Sequence, residues 1–443
     1  MDRRGTPSIL SGRIDPPFHP GDHSRMTARR RAARPAAPAM PLAAAALAAA
    51  LLGALPARAA DRVIRRGVDL SLTGADADSG TKVKDGVLLA IDEANARHLI
   101  PGVTIEPVLL DDATATAGQY DPAQAATNAR KMVSDRDVIA AIGPQMSGAA
   151  KAMAPILSMG NLAMITPEAT NPDLTDPKFA GQYRPSGKVT FFRTVTTDAF
   201  QGPNMANFFA DTLHAKRIYI LDDSGAFGVG LADRFAAQAK AKGIEVLGRD
   251  RLDPKAADYS SVLTKIKSLG ADSLYYGGVS EAGVKVIKQS YDIIPAAMKG
   301  GGDGLLDGAV LTGAGFPAAQ GWYVTIAAPH MLEDRKLATW TKTFKDKYGV
   351  SAGDYSITGY DGAQVILAAI KGLVAAKQDV TREAVRAAIA ASSTDTLQGP
   401  VAFDANGDVN SKVVSVFQVR KDTAAPLDDV ASQFKYVGTA PAN

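Results

Sequence analysis

Between residues 63 and 421 the apolar positions follow two rhythms, short continuous runs and longer stretches with a 3.6-residue spacing. Runs at Val68–Leu72, Thr104–Leu110, Val138–Ile142, Leu162–Ile165 and Phe191–Thr194 read as strands. Between them, 82–97, 122–134 and 147–158 read as helices; Val83, Val87, Leu88, Ile91 and Ala94 mark the buried face of the first. A second series opens with a helix at 202–213. It continues through strands Arg217–Leu221, Ile244–Arg249 and Ser273–Tyr276, alternating with helices at 229–241, 259–269 and 280–291. A glycine-rich stretch, Gly300–Gly315, leads to a strand at Trp322–Ile326. Helices at 333–347, 356–376 and 381–391 follow, then β-type runs at Pro400–Phe403 and Val413–Val419. The tail after Lys421 is expected to be loosely held. Such alternation predicts α/β architecture with parallel sheets covered by helices on both faces. Two successive series, with no long linker between them, predict two lobes joined by short crossovers.

The stretch 138–176 is the centre of the first series. Its helix, 147–158, carries Ala149, Met153, Ile156 and Leu157 on one face, with Ser147 expected as N-cap. In open α/β sheets ligands bind outside the carboxyl ends of strands, where helix N-termini present unpaired N–H groups. Ser147 and Thr170 stand at two such ends, and their hydroxyls beside backbone donors suit a carboxylate. Taken alone, each hydroxyl is as well explained by capping a helix or a turn.

Composition changes the picture at the N-terminus. Arg29, Arg30, Arg31 and Arg34 precede an apolar run, Leu42–Leu55, and Ala57-Arg58-Ala59 has the form of a cleavage site. The run falls short of the roughly 20 residues that span a bilayer. It predicts an exported chain starting at Met26 or Met1, cut near Ala59, with 384 residues remaining and a periplasmic destination. The leader holds nine Arg and three Asp. Removing these from the 49 basic and 46 acidic residues leaves 40 and 43, a net charge of about −3, which gives no footing for nucleic-acid binding. There is no cysteine, hence neither a disulfide nor a lipid-modified cysteine anchor. His98, His214 and His330 are scattered, without metal-ligand spacing.

Several ordered motifs carry a family likeness. These are S-L-T-G at 71–74, D-D-A at 111–113, I-G-x-x-x-S at 142–147 and I-T-P-x-A-T-N-P-x-L-T at 165–175. Q-G-P at 201–203, D-x-x-x-x-F-G at 222–228, Y-Y-G-G at 275–278, G-Y-D-G-A at 359–363 and G-P-V-x-F-D-x-x-G-D at 399–408 complete the set. From about Arg65 to Lys421 the chain resembles the periplasmic leucine/isoleucine/valine-binding proteins of ABC importers. The resemblance implies a two-lobed, type I periplasmic binding protein with three hinge crossovers, near 194–197, 325–327 and 400–402. Residues 1–59 would then be the leader, 61–194 plus 327–400 lobe one, and 195–326 plus 401–443 lobe two. It implies that Ser147 and Thr170 hold a ligand's α-carboxylate and part of its ammonium group, and that the backbone carbonyl of Glu168 accepts from that ammonium, so that the Glu168 side chain need not matter. Asp303 would be the acidic partner of that ammonium, Phe227 a ring where tyrosine is common, and Tyr355 an aromatic near the side-chain pocket. Ser79 and Val279 stand where leucine-type binders carry tyrosines, which implies a roomier pocket.

Each of these positions also has a plainer reading. Asp303 among glycines suits a solvated turn, and Phe227 and Tyr355 suit packing. Gly228-Val229-Gly230 lacks the third glycine of a dinucleotide loop, and Gly74–Lys82 has the wrong order for a phosphate loop. No histidine lies in any cleft motif to activate Ser147 as a nucleophile. The expectation is therefore a binder and not an enzyme, without cofactor or metal, acting as a monomer. It would deliver a branched-chain or larger neutral amino acid to a membrane ABC permease. A binder of aromatic carboxylates, or a ligand sensor on the same fold, is the alternative.

Overall fold

The computed structural model describes residues 61–442. The leader and its cleavage site lie outside the described residues. Five strands form one sheet: β1 (Arg62–Leu70), β2 (Val103–Asp111), β3 (Val138–Ile142), β4 (Ala163–Thr166) and β5 (Phe191–Arg193), in the order β2-β1-β3-β4-β5. All four pairings are parallel. Every residue of β3 and β4 is buried, as expected of central strands covered on both faces. The covering helices are α1 (Ala77–Ala96), α2 (Pro122–Ser134) and α3 (Ser147–Met159).

After β5 the chain enters a second sheet. Here α4 (Asp198–Asp211), β6 (Arg217–Asp222), α5 (Ala226–Ala241), β7 (Glu245–Arg251), α6 (Ser260–Ser268), β8 (Ser273–Gly277), α7 (Ser280–Ile293), β9 (Met298–Gly301), α8 (Gly308–Ala314) and β10 (Tyr323–Ile326) alternate. The chain then returns to the first sheet through α9 (Ala338–Tyr348), α10 (Asp354–Ala375) and α11 (Arg382–Ala390). A hairpin of β11 (Ser393–Thr396) and β12 (Gly399–Ala402) follows. Two antiparallel strands, β13 (Ser415–Val419) and β14 (Phe434–Thr439), finish the second sheet, whose order is β14-β13-β10-β9-β8-β6-β7. The parallel core of each sheet matches the expectation; the antiparallel edge of the second is an addition to it.

Several elements differ from the sequence reading. The tail after Lys421 is not loose. Gln433 is fully buried, donates to the Asp422 and Pro426 carbonyls at 2.9 and 3.0 Å, and so fastens the turn that sends β14 back along β13. The glycine-rich stretch holds β9 and α8, since Gly301 and Gly300 bring the strand flat against Leu305, Phe209 and Met205 where a Cβ would clash. Helices α1 and α4 begin about a turn earlier than the apolar periodicity indicated.

Helix α10 crosses α1 at close range. A Cβ on Gly86 would stand 2.1 Å from the Ser356 carbonyl oxygen, so only glycine admits this approach. The contact seats the first turn of α10 beneath the loop after β4, where Thr358 donates to the Pro167 carbonyl at 2.7 Å.

Candidate functional site

In each sheet the strand order reverses once, between β1 and β3 in the first and between β6 and β8 in the second. Loops leaving such a switch point diverge to opposite faces and open a crevice beyond the strand ends. The two crevices face each other, and a small cavity lies where they meet. Gln145, Met146 and Ser147 line it after β3, Glu168 after β4, Phe227 after β6, Val279 after β8, and Asp303 and Gly304 after β9.

Ser147 is in the cavity but is not the N-cap. Met146, with φ −92° and ψ 137°, takes that position, and Ser147 is the first residue of α3. Its hydroxyl accepts from the Asn171 N–H at 3.2 Å, tying the helix start to the loop after β4. That loop is folded by Thr166, whose hydroxyl donates to the Pro144 carbonyl at 2.6 Å and accepts from the Ala169 N–H at 2.9 Å. Arg193, fully buried at the end of β5, clamps the same loop. Its guanidinium donates to the Ala169 and Asn171 carbonyls at 3.0 and 3.2 Å and to the Thr175 hydroxyl at 2.8 Å, with Asp408 2.7 Å away as counter-ion.

Asp303 is 5% exposed. Tyr355 donates its hydroxyl to Oδ2 at 2.5 Å, and the Asp303 N–H is held by Gln201 Oε1 at 3.2 Å. Burial pushes its carboxyl up to about 6, against the favourable bonds from Tyr355 and Gln201. Glu168 is raised well above the ordinary carboxylate range, first by burial and then by the charge of Asp303. Gln145 donates to Glu168 Oε1 at 3.3 Å. Glu168 Oε2, Gln145 Oε1 and Asp303 Oδ1 are left without hydrogen bonds of normal geometry. Asp198, raised to about 7 by burial and by Asp303, sits behind the site beside the Thr170 hydroxyl.

Of the eight residues singled out from the sequence, the structure brings Ser147, Glu168, Phe227, Val279 and Asp303 around one cavity. Thr170 is buried and turned to Asp198, and its carbonyl accepts from the Asp198 N–H at 3.0 Å. Tyr355 reaches the site through Asp303 and, with Ser79, lines an adjoining cavity. Glu168, expected to act through its backbone carbonyl, is among the residues that line the cavity. Gln145, Arg193 and Gln201 were not singled out. Gln201 lay inside a quoted motif; the other two gave no signal, because their partners are distant carbonyls or side chains.

The arrangement can hold an anionic group at the N-terminus of α3 and a cationic one at Asp303. Residues 63–424 match the family model described as periplasmic binding protein. A Leu/Ile/Val-binding protein of Rhizobium johnstonii is 32% identical over 371 residues, covering 83% of this chain and 94% of the relative. A leucine-, isoleucine-, valine-, threonine- and alanine-binding protein of Pseudomonas aeruginosa is 28% identical, covering 79% and 88%. Among solved structures, a leucine-binding protein of Thermotoga maritima superposes with a TM-score of 0.73 at 25% identity, covering 85% of this chain and 98% of that one. A solute-binding protein of R. palustris in complex with benzoate gives 0.70 at 21% identity, covering 86% and 98%, a likeness of fold.

Proposed function

This chain belongs to the periplasmic binding protein family, a family of solute-binding proteins, and on that footing we propose that it captures an α-amino acid between its lobes for a membrane ABC permease. The observation that carries this reading is the pairing, across one cavity, of the N-terminus of α3 with the buried carboxyl of Asp303. The first supplies N–H groups and a positive dipole end for a carboxylate; the second supplies the counter-charge for an ammonium. The relatives named for leucine, isoleucine and valine support an amino acid as the ligand class. Binding as the role is supported by the family, which is made up of solute-binding proteins, and the Ser147 hydroxyl accepts from the Asn171 N–H.

The lobes meet along three crossings. Two of them we draw at 194–197 and 325–327, beside the ends of β5 and β10. The third is better drawn at 410–414 than at 400–402, because Asp408 still pairs with Arg193 of β5 and β13 starts at Ser415. Export to the periplasm is the family's habit, and among the described residues no helix is long and apolar enough to cross a membrane.

An aromatic carboxylate is the rival ligand, favoured by the ring of Phe227 in the wall. Two buried carboxyls in the same cavity oppose it, since an anion without an accompanying cation would meet like charge. Thermal-shift measurement against amino acids and aromatic acids tests the reading. A ligand at a hundredfold excess over Kd raises stability by about 2.7 kcal/mol. Stabilisation by an α-amino acid is expected; stabilisation by aromatic acids alone overturns the reading.

A further inference from the structure

Charge within the cavity is unbalanced. Glu168 and Asp303 both line it, and among the described residues that do so none is Lys, Arg or His. Resting on the amino-acid reading above, one ligand ammonium answers Asp303, and the ligand's own carboxylate goes to the N-terminus of α3. Glu168 is then left over. An aliphatic side chain would leave that carboxyl buried without a partner, which costs free energy whether it ionises or holds its proton.

Hydrogen-bond accounting points the same way. Glu168 and Gln145 both line the cavity and are at least nine-tenths buried, and Glu168 Oε2 and Gln145 Oε1, the latter on the Gly80 side, have no hydrogen-bond partner. Both are acceptors. They stand on the loops after β4 and β3, on the far side of the cavity from Asp303 after β9. One α-ammonium has three N–H groups, and Asp303 Oδ1 and the Glu168 backbone carbonyl have first claim on them. The acceptors at Glu168 and Gln145 are therefore open to further donors, which a ligand's side chain can supply.

We propose that Glu168 is a specificity-determining residue and that the ligand is an α-amino acid with a second, cationic nitrogen in its side chain, held by Glu168 and Gln145. The surroundings of Glu168 support this. Burial first, and then the nearby acids Asp303, Asp307 and Asp76, raise its carboxyl well above the ordinary range. Asp76 is itself pushed up to about 8, and Asp307 to about 6, first of all by burial. The Glu168 end of the cavity is thus crowded with acidic groups and has no basic side chain among its lining residues, which suits a cation better than a leucine side chain.

The test is isothermal titration calorimetry at pH 7.5 on ligand-stripped protein, with L-lysine, L-ornithine, L-leucine and 4-hydroxybenzoate as probes, on the parent and on Glu168→Gln. Glutamine keeps the size and the bond to Gln145 but removes the charge. The better of the two cationic amino acids is expected to bind the parent at least tenfold more tightly than L-leucine. Glu168→Gln should weaken that cationic ligand at least tenfold and leave L-leucine within threefold or tighter. Equal or tighter binding of L-leucine by the parent overturns the inference while leaving the amino-acid reading intact. So does a Glu168→Gln variant that keeps the parent's preference or weakens both ligands alike. Failure of all three amino acids to bind overturns the amino-acid reading itself, and the inference with it; binding of 4-hydroxybenzoate in that case assigns the site to the rival ligand.

Discussion

At the residue scale the site divides into groups that touch the cavity and groups that aim them. Asp303 is the group whose loss should be felt most. Asp303→Asn keeps the shape and the Tyr355 bond but removes the counter-charge of an ammonium in a closed site, and should weaken amino-acid binding by about 2–5 kcal/mol. Ser147→Ala should weaken it less, by about 0.5–3 kcal/mol, because the N–H groups at the start of α3 remain. Calorimetry on both variants checks the order; an Asp303→Asn protein that binds its amino acid as tightly as the parent rules out the assigned role. Proton release on binding follows from the same residue. The carboxyl of Asp303 lies near 6, above its ordinary 3.8, and an ammonium favours its ionised form. Binding near pH 6 should therefore release protons, and affinity should fall as pH drops through 6. Titrations in two buffers of different ionisation enthalpy measure the release directly, and equal apparent enthalpies at pH 6 would contradict it.

At the scale of elements, the contact between α1 and α10 sets where the first turn of α10, and so Tyr355, sits beneath the cavity. In an exposed helix Gly→Ala gains up to about 1 kcal/mol of helix propensity. At Gly86 the added Cβ meets a backbone oxygen at 2.1 Å, which cannot move without shifting α10. The clash should win, and Gly86→Ala should destabilise the fold by about 1–3 kcal/mol in denaturant unfolding; a stabilised variant would show that the helices are free to separate. The strands and helices were legible because their periodicity is local: β3 was read to its ends, and α5 and α7 within a few residues. Elements supported by distant partners were not. The sequence of β14 has only half-buried alternation, and what orders it is the carboxamide of Gln433 folding the 422–426 turn. The site was legible in part for the same reason. Ser147, Phe227 and Val279 follow strands directly, so a strand count finds them, whereas Arg193 acts on carbonyls of a loop about twenty positions earlier and on Asp408. Glu168 was visible, but its orientation into the cavity depends on the fold of the loop that Thr166 and Arg193 impose.

For the molecule as a whole, the contacts across the cleft describe a closed arrangement. Asn171 Nδ2 donates to the Ala226 carbonyl at 2.9 Å, the Gly308 N–H to Asp78 at 3.2 Å, and Tyr355 on α10 to Asp303 on the other lobe at 2.5 Å. Closure buries Asp303, Glu168 and Asp307, and each then prefers to carry a proton, chiefly because burial disfavours its charge. Groups whose pKa is raised on burial contribute most to the closed form below their ordinary values, and that contribution is lost as pH rises through the raised ones, here about 6 for Asp303 and Asp307. At pH 7.5 without ligand the carboxylates should ionise and the lobes should part about the three crossings, as in other hinged binders. A bound cation replaces the protons and restores closure. Small-angle scattering on the exported form should accordingly give a larger radius of gyration for ligand-free protein at pH 7.5 than at pH 5. With saturating ligand the radius should be small at pH 7.5 as well. A ligand-free radius that is the same at both pH values, in protein shown by circular dichroism to be folded at both, would mean that the buried acids do not govern the hinge.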